Sequence, residues 1–259
     1  MTPYLIELKN ICYSYHTLHG ETKALDRISF GVKNGEFVAI VGPSGCGKST
    51  LLSIIAGLIK PEEGTIAVNK PDGSLGYPKI GYMLQKDHLL DWRSVYQNML
   101  LGLEIRKELT PENLDYVNEL LEEYGLAAFR DKRPFELSGG MKQRAALIRT
   151  LALKPELLLL DEAFSALDYQ TRLIVSADIC NIIRSTGKTM IMITHDLSEA
   201  VRLADRIIVL TARPATVKAE VPIRLTINNP SPLAATNAPE FNDYFNLIWK
   251  ELNDENSFK

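Results

Sequence analysis

The sequence predicts an α/β fold in which a parallel sheet is covered by helices on both faces and interrupted by a helical insertion. Three observations carry that expectation. A β-branched and aromatic run, GEFVAIVG (35–42), ends in a glycine-rich loop and passes into STLLSIIAGL (49–58), whose apolar residues recur at helical spacing. ELLLLDE (156–162), KTMIMITH (188–195) and ADRIIVLT (204–211) are short continuous apolar runs, as expected of strands buried on both faces of a parallel sheet. Between them, LTPENLDYVNELLEEYGL (109–126) places leucines every three or four residues, with Pro111 in an early helical turn and Gly125 as a stop.

Taken in order, residues 1–86 form the first part of the core and 87–154 a helical subdomain. Residues 155–229 return to the core, and 230–259 are a linker followed by an amphipathic terminal helix. PSPLAATNAP (230–239) has linker composition. Beyond it, Phe241, Tyr244, Phe245, Ile248, Trp249 and Leu252 make one apolar stripe. The simplest use of that stripe is packing on its own core; stabilising a dimer is the alternative.

The chain has 259 residues, 46% hydrophobic and 24% charged, enough for one large core. Its net charge of -3 offers no basic field for a nucleic-acid backbone, so no nucleic-acid partner is expected. No apolar run is long enough to span a bilayer, and MTPYLIELKN does not read as a signal peptide, which points to the cytoplasm. Cys12, Cys46 and Cys180 are widely spaced and odd in number, so reduced thiols are expected rather than disulfides or a zinc site.

GPSGCGKST (42–50) matches G-x-x-x-x-G-K-[ST] with a strand before it and a helix after it. Gly42, Gly45 and Gly47 let backbone N–H groups face an anion, and the following helix start adds partial positive charge there. Pro43, Ser44, Cys46 and Thr50 complete the loop. Lys48 reaches the β- and γ-phosphates of a nucleotide, and Ser49 offers a hydroxyl to Mg²⁺. In open α/β sheets ligands sit beyond the carboxyl ends of the strands, which is also where LLLLDE delivers its two acids. There Asp161 holds the magnesium through water, while Glu162 polarises a water in line with the γ-phosphate, a role worth roughly 10²- to 10⁴-fold in rate.

ELSGGMKQRAALIRTLAL (136–153) is a Ser-Gly-Gly turn running into an Ala/Leu-rich helix, a second possible anion cradle. By pattern alone, an ordinary turn with an N-cap explains it equally well. LSGGMKQR, LLLLDE, SALD and a histidine after a buried strand, all downstream of the phosphate loop, closely resemble the nucleotide-binding subunit of an ABC transporter. The resemblance runs from about residue 5 to 213.

That resemblance implies a P-loop NTPase core, a RecA-like parallel sheet with an N-terminal antiparallel β part. It implies a head-to-tail homodimer in which ATP on one subunit's loop is covered by Ser138, Gly139 and Gly140 of the other. Met141 stands where many members carry glutamine. Tyr15 resembles the aromatic that stacks on adenine, although Tyr13 lies two residues earlier and a strand-edge tyrosine would look the same. Gln85 resembles the glutamine that contacts Mg²⁺ and the attacking water, His195 the switch histidine at the γ-phosphate, and Asp168 the end of a loop that touches the opposite subunit. Because Cys46 lies within the phosphate loop, alkylating it is expected to block ATP binding.

As a transport motor the chain would close its dimer on ATP and push on two transmembrane permease subunits from the cytoplasmic face of the membrane, with an extracytoplasmic solute-binding protein as an indirect partner. A cytosolic ATPase of an assembly or scaffold complex is the alternative. LLDWRSVYQNMLLGLE (89–104), VLTARP (209–214) and the aromatic terminal helix resemble the ATPases of nitrate, sulfonate, taurine and bicarbonate importers, with Ala215 where glycine is usual. Trp92 and Arg93 either shape a socket for a permease helix or are partly buried structure.

Overall fold

Alternate residues of the central strands face two different cores. The computed structural model describes residues 4–18, 20–69, 76–226 and 232–253. β1 (Tyr4–Thr17), β2 (Gly20–Lys33) and β4 (Glu63–Val68) form an antiparallel sheet in the order β2-β1-β4. β3 (Phe37–Val41), β5 (Ile80–Met83), β6 (Leu157–Asp161), β7 (Thr189–Ile193), β8 (Arg206–Leu210) and β9 (Val217–Pro222) form the second sheet, ordered β5-β6-β7-β3-β8-β9. All its pairings are parallel except β8 with β9.

Val38, Ile40, Leu157, Leu159, Ile191 and Ile193 point to one side, where they pack with β1, β2 and α1 (Lys48–Ile55). Ala39, Val41, Leu158, Leu160, Met190 and Met192 point to the other. That second core is closed by α2 (Val95–Arg106), α3 (Pro111–Glu123), α4 (Gly139–Leu151), α5 (Tyr169–Ser185) and α6 (Leu197–Leu203). The period of two thus explains why these strands read as continuous apolar runs: both faces are covered.

The helical segment starts and stops as its sequence dictates. Thr110 caps α3, accepting from the Asn113 N–H, Pro111 occupies its first turn, and Gly125 beyond it has φ +68°. Ser94 and Gln97 make a reciprocal capping box at α2. Within 230–239, the stretch of linker composition, Pro232–Ala235 form a short helix, α7, and Ala235 and Ala238 are buried; 230 and 231 lie outside the described residues. α8 (Phe241–Asn253) packs on α6, β8 and β9 through Phe241 and Ile248. Trp249 does not join that buried stripe: it is 57% exposed and stacks on Phe245 at 6.3 Å.

Asn98 holds the bend between β5 and α2. Fully buried, it accepts from the Leu90 N–H at 2.7 Å and donates to the carbonyls of Leu90, Arg93 and Ser94. Replacing it with Ala strands those backbone groups in an apolar setting, a cost of about 1–3 kcal/mol. Asn98→Ala is expected to lower the denaturation midpoint and to speed amide exchange between residues 87 and 94 first. Unchanged exchange there would remove Asn98 as the brace.

Candidate functional site

The carboxyl ends of five strands converge on one rim. β3 delivers the 42–50 loop, β5 delivers Gln85, β6 delivers Asp161 and Glu162, β7 delivers His195, and β8 leads to Arg213. A cavity of about 270 Å³ opens there, lined by Tyr15, Ser44, Lys48, Ser49, Glu162 and Arg213 among others.

The loop's curvature depends on two glycines in left-handed backbone, Gly45 at φ +72° and Gly47 at φ +118°. At Gly47 a Cβ would also stand 3.0 Å from Leu25 Cδ2 and 3.1 Å from the Ala24 carbonyl oxygen, so a side chain is excluded twice over. Lys48 is 7% exposed and its ammonium donates to the Gly42 and Pro43 carbonyls at 2.8 and 2.9 Å. Cys46 departs from expectation. Its side chain is 1% exposed and turned inward against Gly42, and burial pushes its thiol pKa up. Only its backbone is available to a nucleotide; the thiol is sheltered in the folded loop, so a reagent reaches it only when the loop opens.

The acid pair occupies two different environments. Asp161 is half-buried and accepts from the Ser49 hydroxyl at 3.1 Å and the Tyr82 hydroxyl at 3.3 Å. Burial raises its pKa; those two hydrogen bonds reduce the rise, neighbouring Glu162 adds to it and Lys48 opposes it. Tyr82, which no sequence motif marks, has its hydroxyl pushed up to about 12 by burial and by the Asp161 carboxylate. Ser49 and Asp161 are adjacent oxygen donors, the hard set that Mg²⁺ accepts alongside phosphate and water. Among the described residues no cluster of three or more His, Cys, Asp or Glu side chains could hold a metal ion.

Glu162 is the strained member, a non-glycine residue at φ +48°. Its N–H donates to the Ile193 carbonyl, and its own carbonyl accepts from the Ser165 N–H and hydroxyl. This geometry brings one oxygen, Oε2, within 3.4 Å of both Gln85 Nε2 and His195 Nδ1. Three residues from separate sequence segments therefore meet at a single atom. Tyr15 lines the cavity and shares a hydrogen bond with Thr50 at 2.8 Å; Tyr13 does not line it and meets Tyr15 edge-on at 5.1 Å.

The second cradle lies elsewhere. Ser138 caps α4, accepting from the Met141 N–H. With Gly140, Met141, Arg144, Thr171, Ile174 and Val175 it lines a separate cavity of about 210 Å³. A Cβ at Gly140 would press within 3.1 Å of Thr171 and Val175, so the glycine lets α4 sit close on α5. Asp168 caps α5 through the Thr171 N–H, and the Thr171 hydrogen bonds hold its carboxyl below the usual range. None of these residues lines the cavity of the phosphate loop.

Residues 25–165 match the family model described as ABC transporter. The chain belongs to the ABC transporter family. It is 43% identical over 248 residues to an uncharacterized ABC transporter ATP-binding protein, YtlC of Bacillus subtilis, covering 96% of this chain and 95% of that one. It is 38% identical over 231 residues to the nitrate transport protein NasD of Klebsiella oxytoca, covering 88% and 87%. A dimeric post-hydrolysis structure of the ATP-binding cassette MJ0796, bound to ADP and Pi, aligns with TM-score 0.70 and 32% identity over 85% of this chain and 99% of that one. This ABC ATPase therefore takes ATP with Mg²⁺, on a cassette fold.

Because burial raises the Asp161 pKa above its unfolded value, the ionised carboxylate costs folding free energy at pH 7; the cost is full above the folded pKa and gone below the unfolded one. Asp161→Asn is expected to raise the melting temperature of the nucleotide-free protein at pH 7, with the gain shrinking as pH falls through the raised value. It should also erase the Mg²⁺-dependent part of stabilisation by ATP. Calorimetry at two pH values reads both; a variant melting below the parent at pH 7 would contradict the burial cost.

Proposed function

We propose that this ATPase powers an importer for a small anionic or nutrient solute of the nitrate, sulfonate and taurine type. The convergence of Gln85 and His195 on the Glu162 carboxylate, on the rim of the Lys48 cavity, supports the catalytic half of the reading. Glu162 accepts a proton from the attacking water, Gln85 and His195 orient the carboxylate and the γ-phosphate, and Lys48 with the loop amides holds the β- and γ-phosphates. Ser49 and Asp161, with Gln85 nearby, would hold Mg²⁺, which neutralises the charge developing on the phosphates. Tyr15 stacks on adenine.

Ser138 and Gly139 at the start of α4 are exposed, Gly140 is buried, and none of the three lines the cavity of the chain's own phosphate loop. A head-to-tail homodimer places that helix start over the partner's ATP, and Asp168 then lies at the subunit boundary. Glu162→Gln is expected to keep ATP binding, lower turnover at least 100-fold and hold the protein as a dimer in size-exclusion chromatography with ATP. Hydrolysis at the parental rate would remove Glu162 as the base.

A membrane partner is supported by the exposed aromatic surface of the segments that follow Gln85 in the chain. Trp92 and Phe135 are 72% and 70% exposed, and their segments are tied by the Arg133 guanidinium donating to the Trp92 carbonyl. Arg93 is not part of that surface; it is half-buried and paired with Glu104 at 2.6 Å. Large exposed aromatics of this kind suit the apolar face of a docking permease helix. No helix among the described residues is long and apolar enough to cross a membrane, so in this reading the chain sits peripherally on the cytoplasmic face and the span comes from two permease subunits. The solute-binding protein contacts those permeases, not this chain.

Capture of the tagged chain from detergent-solubilised cells tests this. Two membrane-spanning subunits should co-purify, and Trp92→Glu should release them while ATP binding persists. Recovery with soluble partners alone would favour the scaffold ATPase instead.

A further inference from the structure

Arg213 stands on the turn between β8 and β9, outside every motif that marks the nucleotide site. That turn is stitched in place. The Thr211 N–H donates to the Thr216 carbonyl at 3.0 Å, and the Thr216 N–H donates back to the Thr211 hydroxyl at 2.8 Å. Ala215 bonds β2 in both directions, donating to the Ala24 carbonyl and accepting from the Asp26 N–H, each at 2.9 Å. From this platform the Arg213 guanidinium crosses to the phosphate loop and donates to the Gly45 carbonyl at 2.6 Å. It lines the same cavity as Tyr15, Lys48 and Glu162.

We propose that Arg213 is a phosphate-binding residue, a second cation that meets the nucleotide's polyphosphate beside Lys48. Among the residues lining the cavity, Lys48 and Arg213 are the two cations and Glu162 the one acid. A guanidinium carries five N–H donors and Gly45 uses one, so the rest of the fork remains for phosphate oxygens. The placement also accords with the sheet: each parallel strand end on this rim delivers a polar or charged group, and β8 delivers Arg213. Anchoring to Gly45 ties the charge to the backbone whose amides face the anion, so the guanidinium moves with the loop.

The inference rests on the reading of residues 42–50 as the ATP site, and the test separates the two. Affinities for Mg²⁺ with a non-hydrolysable ATP analogue, and for Mg²⁺ with ADP, are measured by calorimetric titration for the parent, Arg213→Gln, Arg213→Lys and Lys48→Ala. Arg213→Gln is expected to weaken the triphosphate roughly 5- to 10-fold, and ADP less, with the difference shrinking as salt is raised. Arg213→Lys should recover most of the loss, because it keeps the charge. Circular dichroism melts confirm that each variant is folded. If Lys48→Ala loses affinity while Arg213→Gln stays within twofold of the parent, the role of Arg213 is overturned and the ATP site stands. An equal loss for both nucleotides at every salt concentration overturns it too, since that marks a brace and not a charge. Unchanged affinity in Lys48→Ala would overturn the site itself.

Discussion

A carboxylate half-buried at the end of four fully buried leucines is the constraint on which the site depends. Leu157 to Leu160 are all inaccessible, and Asp161 leaves that strand into a setting where burial outweighs the help from Ser49 and Tyr82. Those two hydroxyls offset only part of the cost of burying the charge, and a cation at the site, as proposed, would offset more. Ser49 belongs to the first turn of the helix leaving the phosphate loop, so the hydroxyl on Asp161 fixes loop, acid and ion site to one another across 112 residues of chain. Strand order does the rest: β6 lies between β5 and β7, so Gln85 and His195 reach Glu162 from opposite neighbours.

The proposed head-to-tail dimer gives the two cradles of one chain different nucleotides to hold. Ser138 and its helix start line a cavity that shares no residue with that of the phosphate loop. Both have the chemistry of an anion site, yet one lies on the sheet's rim and the other on the helical layer, bound to α5 by close packing at Gly140. A single triphosphate cannot fill two separate cavities of one protomer; two protomers facing each other can share it. In that proposed arrangement turnover is coupled to association, because the group that completes each site arrives with the partner.

Much of this was legible in the sequence because the decisive residues are consecutive or end conspicuous runs. The phosphate loop, the acid pair after LLLL and the histidine after IMIT each come after a strand whose two-faced burial makes it visible. The adenine-side choice between Tyr13 and Tyr15 was not legible, since it depends on which side of a bulged strand faces the cavity. Nor was the inward turn of Cys46, which arises from the space beneath Gly42. Tyr82, Asn98 and Arg213 act through contacts 79, 8 and 168 positions away, and nothing in their local pattern announces them. The positive φ of Glu162 is equally invisible, because it accompanies a hydrogen bond to the Ile193 carbonyl of a neighbouring strand. Ala215, where glycine is usual in the resembling group, proves unstrained: it is buried, bonded to β2, and its φ is not in the left-handed region.

The phosphate loop is also prepared electrostatically before a nucleotide arrives. Lys48 spends two of its three ammonium donors on the Gly42 and Pro43 carbonyls, which leaves one to point at an incoming oxygen. Those two bonds hold a side chain that would otherwise lose substantial rotamer freedom on binding, so part of the ordering cost is met in the free protein. They also place the positive charge beside a loop whose amides already favour an anion. In the proposed dimer, closing the partner's Ser138 over the phosphates would supply the remaining donors. On that proposal, tight, hydrolysis-ready binding belongs to the pair, while the single chain, with Lys48 already in place, captures the nucleotide.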